Sequence, residues 1–340
     1  MKILFHSNQL SLRGTEVALY DYAHYNEEIL DNKSIIAVKR TSAHHPKAVE
    51  KFHKRFQVIY YDTLAELQKF ANDEKVAIFY AIKAGENDGV LLQGIKNCIH
   101  VVFKSYDRHG DVYAYVSEWL SQEMSGGKMP YVPHIVQLPH AEGDLRQQLN
   151  IPEDAIVFGR YGGLETFDIA FVKRLVYSIA TKRKDIYFLF MNTENFLESK
   201  SFFQKKWLNQ FFSPLLFTTT KMNNIIFLEG AAEPAYKTKF INTCDAMLHA
   251  RLQGESFGIA CGEFSICNKP VITCNASFIK ERSHIEILGN KGIYYSNYAQ
   301  LGKIISNYNK HCPRDCDAYS QRYNPAAVMT KFKEVFIDAN

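Results

Sequence analysis

No run in this sequence approaches the roughly 20 consecutive apolar residues that a membrane-spanning helix requires, so no integral membrane segment is expected. The opening stretch, MKILFHSNQL, is interrupted by His6, Ser7 and Asn8 too soon to read as a signal peptide. Charge of one sign is also lacking. Forty basic against 36 acidic residues leave a net charge of +4, which gives no reason to expect a nucleic-acid partner. The seven cysteines are an odd and scattered count, and they read as reduced thiols of a cytoplasmic protein. Cys312, Cys316 and His311 lie close together, but no second ligand pair has zinc-site spacing, so no metal is expected. No Gly-x-Gly-x-x-Gly follows the first apolar run, which argues against a nicotinamide dehydrogenase, and no Gly-x-x-x-x-Gly-Lys occurs, which argues against a P-loop kinase. The Asp-x-Asp at Asp315-Cys316-Asp317 has no strand before it and reads as coincidence.

What is present points to two α/β units. A length of 340 residues fits two domains of roughly 150 residues better than one, and 46% hydrophobic residues suffice for two cores. KILFHS, SIIAVK, FQVIYY, VAIFYAI and HVVFKS are short, β-branched or aromatic runs. Between them lie helical patterns such as GTEVALYDYAHYNEEIL, HPKAVEKFHKRF and TLAELQKFANDE. Uniformly apolar strands alternating with helices imply a parallel sheet covered on both faces. After the polar QLNIPEDA the pattern restarts with IVFGRYGG, DIAFVKRLVYSIATKR, IYFLFM, NNIIFLEG, DAMLHA, KPVITC and GIYYS. The expectation is two Rossmann-like domains facing a cleft, residues 1–150 and 151–320. A C-terminal helix over 321–340 follows, with Asn324 as its cap and Pro325 in its first turn.

The densest stretch is HARLQGESFGIACGEFSICNKPVIT. It carries Glu255 and Glu263 with seven residues between them, and Gly254, Gly258 and Gly262 at every fourth position. DAMLHA and NKPVIT read as buried strands, so roughly Ser256 to Cys267 is expected to be the crossover helix. Eight residues at helical rise span about 12 Å, comparable to a sugar nucleotide. Ligands of open parallel sheets bind at the carboxyl ends of strands beside helix N-termini, where unpaired amides accept a diphosphate. Two glutamates repel phosphate, so they make sense as acceptors for hydroxyl groups of a ribose and a sugar. The structural alternative is a surface glutamate and glycines that permit close helix–sheet packing.

ESFGIACGE followed by NKPVIT resembles the Glu-x7-Glu motif of retaining glycosyltransferases with the GT-B fold, especially glycosyltransferase family 4. The resemblance implies that Glu263 accepts from the ribose, that Glu255 contacts the donor sugar, and that the amides of Ser256, Phe257 and Gly258 face the donor. SLRGTEVALYDYA is similar to the family's glycine loop, placing Gly14 and Thr15 near the donor phosphates; in the plainer reading, Thr15 caps the helix. YVSEWLSQEM resembles a Val-Ser-Glu helix start capped by Ser117. IVFGRYGGLE matches the family's strand followed by Gly-Arg, which implies that Arg160, with Gly162 beside it, meets the donor diphosphate. The family's lysine about five residues later is missing here, and Arg251 is the candidate substitute. His109, with Lys104 and Arg108 as rivals, is the candidate for the family's histidine near the donor sugar.

The implied activity is transfer of a hexosyl or pentosyl group from a UDP- or GDP-type sugar to a hydroxyl of a glycan or other acceptor, with retention and without metal or other cofactor. The catalytic candidates are Glu255, Arg160 and His109. A sugar-nucleotide epimerase or hydrolase of the same fold, or a non-catalytic sugar-nucleotide-binding protein, are the alternatives.

Overall fold

The computed structural model describes residues 1–197 and 222–339. Its first sheet contains β1 (Lys2–Ser7), β2 (Lys33–Lys39), β3 (Gln57–Tyr61), β4 (Ile78–Lys83), β5 (Lys96–Val101) and β6 (Val112–Tyr115). They lie in the order β3-β2-β1-β4-β5-β6, and every pairing is parallel. The second sheet is built from β7 (Ile156–Tyr161), β8 (Ile186–Met191), β9 (Ile225–Leu228), β10 (Ala246–Leu248), β12 (Val271–Cys274) and β14 (Ile293–Tyr295). Its order, β14-β12-β10-β7-β8-β9, is the same doubly wound pattern read from the other edge, again all parallel. A separate two-stranded ribbon pairs β11 (Gly254–Glu255) with β13 (Glu281–Arg282). In each sheet the strand order reverses beside the first strand, and the crevice at such a switch point is where open α/β sheets hold ligands.

Most expected elements form where apolar runs placed them, with three corrections. The strand expected over His100–Ser105 lies at Lys96–Val101, and the polar segment after it contains β6. The earlier start is possible because the Asn97 side chain exchanges hydrogen bonds with the Leu92 backbone at 2.8 and 2.9 Å, which satisfies a buried polar residue at the amino end of the strand. Thr15 is not a cap: the first helix runs Gly14–Glu28 with Arg13 before it. The crossover helix is Ile259–Ile266, shorter than its pattern suggested, because Gly258 at φ +93° takes a left-handed turn that delays the helix start. Ser117 and Asn324 do cap their helices, accepting from Leu120 N at 3.1 Å and Ala327 N at 2.9 Å.

The C-terminal helix, Pro325–Phe332 with a continuation Lys333–Asp338, lies on the first sheet. Phe332 packs on Phe5, Tyr22 and Tyr80 at ring separations of 5.3–6.3 Å, and Phe336 on Tyr80 and His100 at 5.1–5.2 Å. The last turns of the chain thus complete the core around its first strand. Phe332→Ala is expected to cost about 3–5 kcal/mol in urea denaturation, as a phenyl ring leaves a closed core. A loss under about 1 kcal/mol would show that this helix merely covers the surface. The acids of Asp315-Cys316-Asp317 are used locally: Asp315 pairs with Lys291 at 2.8 Å, and Asp317 accepts from the amides of Tyr319 and Ser320 at 3.1 and 2.9 Å.

Candidate functional site

The carboxyl ends of β7 and β10 meet the Gly14–Glu28 helix start across a cavity of about 280 Å3. From the second domain it is lined by Arg160, Gly162, Arg251, Glu255, Ser256, Phe257 and Gly258, and from the first by Arg13, Gly14, Thr15 and His134. Buried Glu16 secures the first-domain loop, accepting hydrogen bonds from Ser7 at 3.2 Å and from Ser11.

Arg160 is the penultimate residue of β7 and is 3% exposed. Its Nη1 donates to Thr193 Oγ1 at 2.5 Å, and its Nη2 donates to the Gly163 carbonyl at 3.0 Å and to Thr166 Oγ1. Burial lowers this guanidinium to about 10, opposed by the nearby Glu255 carboxylate, so it remains cationic at neutral pH.

Glu255 is delivered by the β11–β13 ribbon. Gly254 sits at φ +79°, and a Cβ there would lie 1.9 Å from the Glu281 carbonyl, so the ribbon admits only glycine at that position. The Glu255 carboxylate accepts from Arg251 Nη1 at 2.7 Å and contacts His249 Nε2 at 3.2 Å. Burial would raise its pKa, but Arg251 and His249 outweigh that and bring it down to about 2. The amino end of the Ile259–Ile266 helix has no side-chain cap, so its first amides are open to an acceptor from the cavity.

A smaller cavity of about 70 Å3 adjoins the first and shares Gly14, Tyr161 and Gly162 with it. Its other lining residues include Asn192, Gly230, Lys237 and Glu263. Glu263 accepts from the Tyr161 hydroxyl at 2.5 Å and from Lys237 Nζ at 3.3 Å. Each carboxylate oxygen keeps further acceptor capacity for a ligand.

The sequence candidates therefore converge, with one exception. Glu255, Arg160, Arg251, Ser256, Phe257, Gly258, Gly162, Gly14 and Thr15 share one cavity, and Glu263 lines its neighbour. His109 lines neither. Its Nδ1 lies 2.5 Å from the Asp107 carbonyl, its ring packs edge-on against Tyr113, and Asp111 N reaches Asn97 O at 2.8 Å. The cause is topological. Parallel β6 must begin at the same edge as β5, so the residues just before it are carried to the amino ends of the strands, away from the cleft. The rival Lys104 bonds Glu123 at 2.6 Å.

The first-domain histidine that reaches the cavity is His134, which sits 3.1 Å from the Tyr22 hydroxyl and packs on Phe257. Lys237, Tyr161, Asn192 and His249 were also missed. Of these, only His249 carried a sequence signal, as a polar residue at the carboxyl end of an apolar strand.

No family model and no curated protein matches this sequence. Solved structures do match in fold. HepE of Anabaena in complex with UDP-glucose matches over 100% of both chains, with TM-score 0.73 and 16% identity. The pneumococcal O-GlcNAc transferase GtfA in complex with UDP and GlcNAc matches over 99% of both chains, with TM-score 0.66 and 9% identity. A UDP-N-acetylglucosamine 2-epimerase matches over 99% of this chain and 96% of its own, with TM-score 0.58 and 11% identity. These likenesses establish the architecture: this is the two-domain, Rossmann-like GT-B fold found in glycosyltransferases and epimerases. Among the described residues, no helix is long and apolar enough to cross a membrane.

Proposed function

We propose that this protein is a glycosyltransferase that moves a hexosyl or pentosyl group from a UDP-type sugar to a hydroxyl of a glycan or other acceptor. The observation that carries the reading is one cavity to which the second domain brings two arginines, an ionised glutamate and an uncapped helix start, adjoining a second cavity lined by Glu263. In this reading the diphosphate lies against Arg160, Arg251 and the amides of Ser256, Phe257 and Gly258, and the ribose lies against Glu263. Glu255 accepts from hydroxyls of the donor sugar. Full-length likeness to structures holding UDP-glucose or UDP with GlcNAc supports the choice of UDP over GDP.

Two arginines can stabilise the charge on the departing diphosphate, so the proposed chemistry needs no metal. A carboxyl near pKa 2 is a weak base and a weak nucleophile. That favours displacement on one face: the acceptor oxygen bonds the anomeric carbon as its bond to phosphate breaks, and the acceptor's proton passes to the departing phosphate oxygen. Retention follows, in keeping with the resemblance to glycosyltransferase family 4. We place the protein in the cytoplasm, in keeping with seven unpaired cysteines.

UDP at about 100 times its Kd should add ~2.7 kcal/mol and raise the melting temperature by several degrees. Glu263→Gln should weaken UDP about tenfold or more, because hydrogen bonds to a charged acceptor are lost. Stabilisation by no nucleotide, or Glu263→Gln with full transfer and an unchanged donor KM, would overturn the assignment. Product analysis with labelled UDP-sugar separates transfer from the isomerised donor of an epimerase, from slow hydrolysis and from mere binding.

A further inference from the structure

Behind Glu255, three buried side chains that the reading above leaves unused stand in a row. His249 follows β10, Thr273 lies in β12, and His284 belongs to the short helix Ser283–Leu288. His249 Nε2 is 3.2 Å from Glu255 Oε1, and its Nδ1 is 2.8 Å from Thr273 Oγ1. Thr273 Oγ1 is in turn 3.1 Å from His284 Nε2, while His284 Nδ1 has no partner among the described residues. The two imidazole centroids are 4.8 Å apart, and the Tyr295 hydroxyl donates to the His249 carbonyl at 2.9 Å.

Donor and acceptor capacities assign the protons along this row. An ionised carboxylate only accepts, so His249 Nε2 carries a hydrogen. In the neutral form of an imidazole Nδ1 is then an acceptor, and the single hydroxyl hydrogen of Thr273 goes to it. Only lone pairs remain on the threonine oxygen for His284, whose Nε2 must donate. His284 Nδ1 is left as a bare lone pair, and it is the atom found without a partner. Reversing the row would bury an N–H without an acceptor, the rarer kind of orphan. Burial holds His284 neutral, with its pKa down at about 3. Of the charged and titratable groups nearby, Arg251 after β10 and Arg282 of β13 act on the row itself, while Arg160 of β7, Glu281 of β13 and Cys261 of the Ile259–Ile266 helix face Glu255.

We propose that His249 is a positioning residue for Glu255, its Nε2–H held toward the carboxylate by the hydrogen-bond row through Thr273 to His284. This rests on the reading of Glu255 as acceptor for the donor sugar. With Arg251 on one oxygen and His249 on the other, the carboxylate cannot rotate, and its remaining lone pairs face the cavity. Without the Thr273 hydroxyl, the Glu255 carboxylate alone orders the His249 tautomer, and the buried Nδ1 loses its donor. The other tautomer would turn a lone pair onto the carboxylate.

Thr273→Val preserves shape and touches neither Glu255 nor the cavity. It is expected to weaken UDP-glucose binding roughly tenfold, to leave UDP binding unchanged, and to be rescued by Thr273→Ser. Equal loss of both ligands, or no loss, overturns the proposal, as does failure of serine to rescue. Glu255→Gln serves as the reference. If it leaves UDP-glucose affinity unaltered, the donor-site reading fails, whatever the Thr273 variants do. The wild-type protein decides the row independently of folding or ligand. 15N-histidine NMR at pH 7.5 should show both His249 and His284 as Nε2–H tautomers, and an Nδ1–H tautomer at His249 would sink the idea.

Discussion

Arg160→Met is expected to lower the rate of sugar transfer roughly 100- to 1,000-fold, the range typical of removing one preorganised group from a developing charge. Three of the five guanidinium N–H groups already hold Thr193, Thr166 and the Gly163 carbonyl, which fixes the plane of the remainder toward the cavity. On the proposed function, the charge is thus held in place before the diphosphate departs. Methionine fills similar volume but offers no donor, so the loop 162–166 also loses its anchor. Arg160→Lys should recover only part of the rate, since a point charge cannot reproduce the fork. Arg251→Met should cost less, because its charge is partly offset by Glu255 at 2.7 Å. Steady-state rates of the three variants check the ordering. An Arg160→Met enzyme within about threefold of wild type would remove Arg160 from the machinery.

Acidification from pH 6.5 to 5 is expected to cost about 3–5 kcal/mol of folding stability. Burial lowers the pKa of five histidines: His6 to about 4, His100 to about 3, His284 to about 3, His134 well below its ordinary value, and the partly exposed His24 as well. In the unfolded chain each takes up a proton near pH 6.5, whereas the folded state refuses it until far lower pH. Stability therefore falls as pH drops, by up to about 1.4 kcal/mol per pH unit for each histidine. Asp21 opposes this. Burial raises its carboxyl to about 7, against the pull of Lys51 and Lys237, so the folded state gains a proton there first. Glu16, Glu281 and Glu286, also raised by burial, act in the same direction. The histidines together outweigh these carboxyls. Glu255 adds its own loss only below about pH 4.5, where its unfolded form begins to protonate. Urea unfolding at pH 7.5, 6.5 and 5 measures the slope, and a stability that is flat or rising toward pH 5 would contradict it.

Both predictions depend on how much could be read without coordinates. Strand runs such as KILFHS and IYFLFM were legible because a strand buried on both faces is apolar throughout. Gly254 and Gly258 were legible because only glycine tolerates the backbone they occupy. The position of His109 was misread, because its distance from the cleft depends on where β6 starts, which local pattern left hidden among polar residues. The absence of the lysine is plain in the sequence, yet the ribbon that delivers Glu255 to the cavity joins strands 27 positions apart (Gly254 to Glu281). Lys237 carried no signal at all, because a lysine on a helix reads as solvated until another element is laid against it.

From its residues alone this chain declared two doubly wound halves, an acid pair flanking a glycine-relieved helix start, and a cationic strand end. These are local properties, set by side-chain period and by backbone sterics within a few residues. Only the folded molecule decided that Glu263 lies between Tyr161 and Lys237, that Arg160 and Arg251 share one cavity, that His249 stands behind Glu255, and that the final helix returns to the first sheet. Those meetings join residues up to hundreds of positions apart, and which groups meet is set by strand register, chain crossover and close packing rather than by any neighbour in sequence.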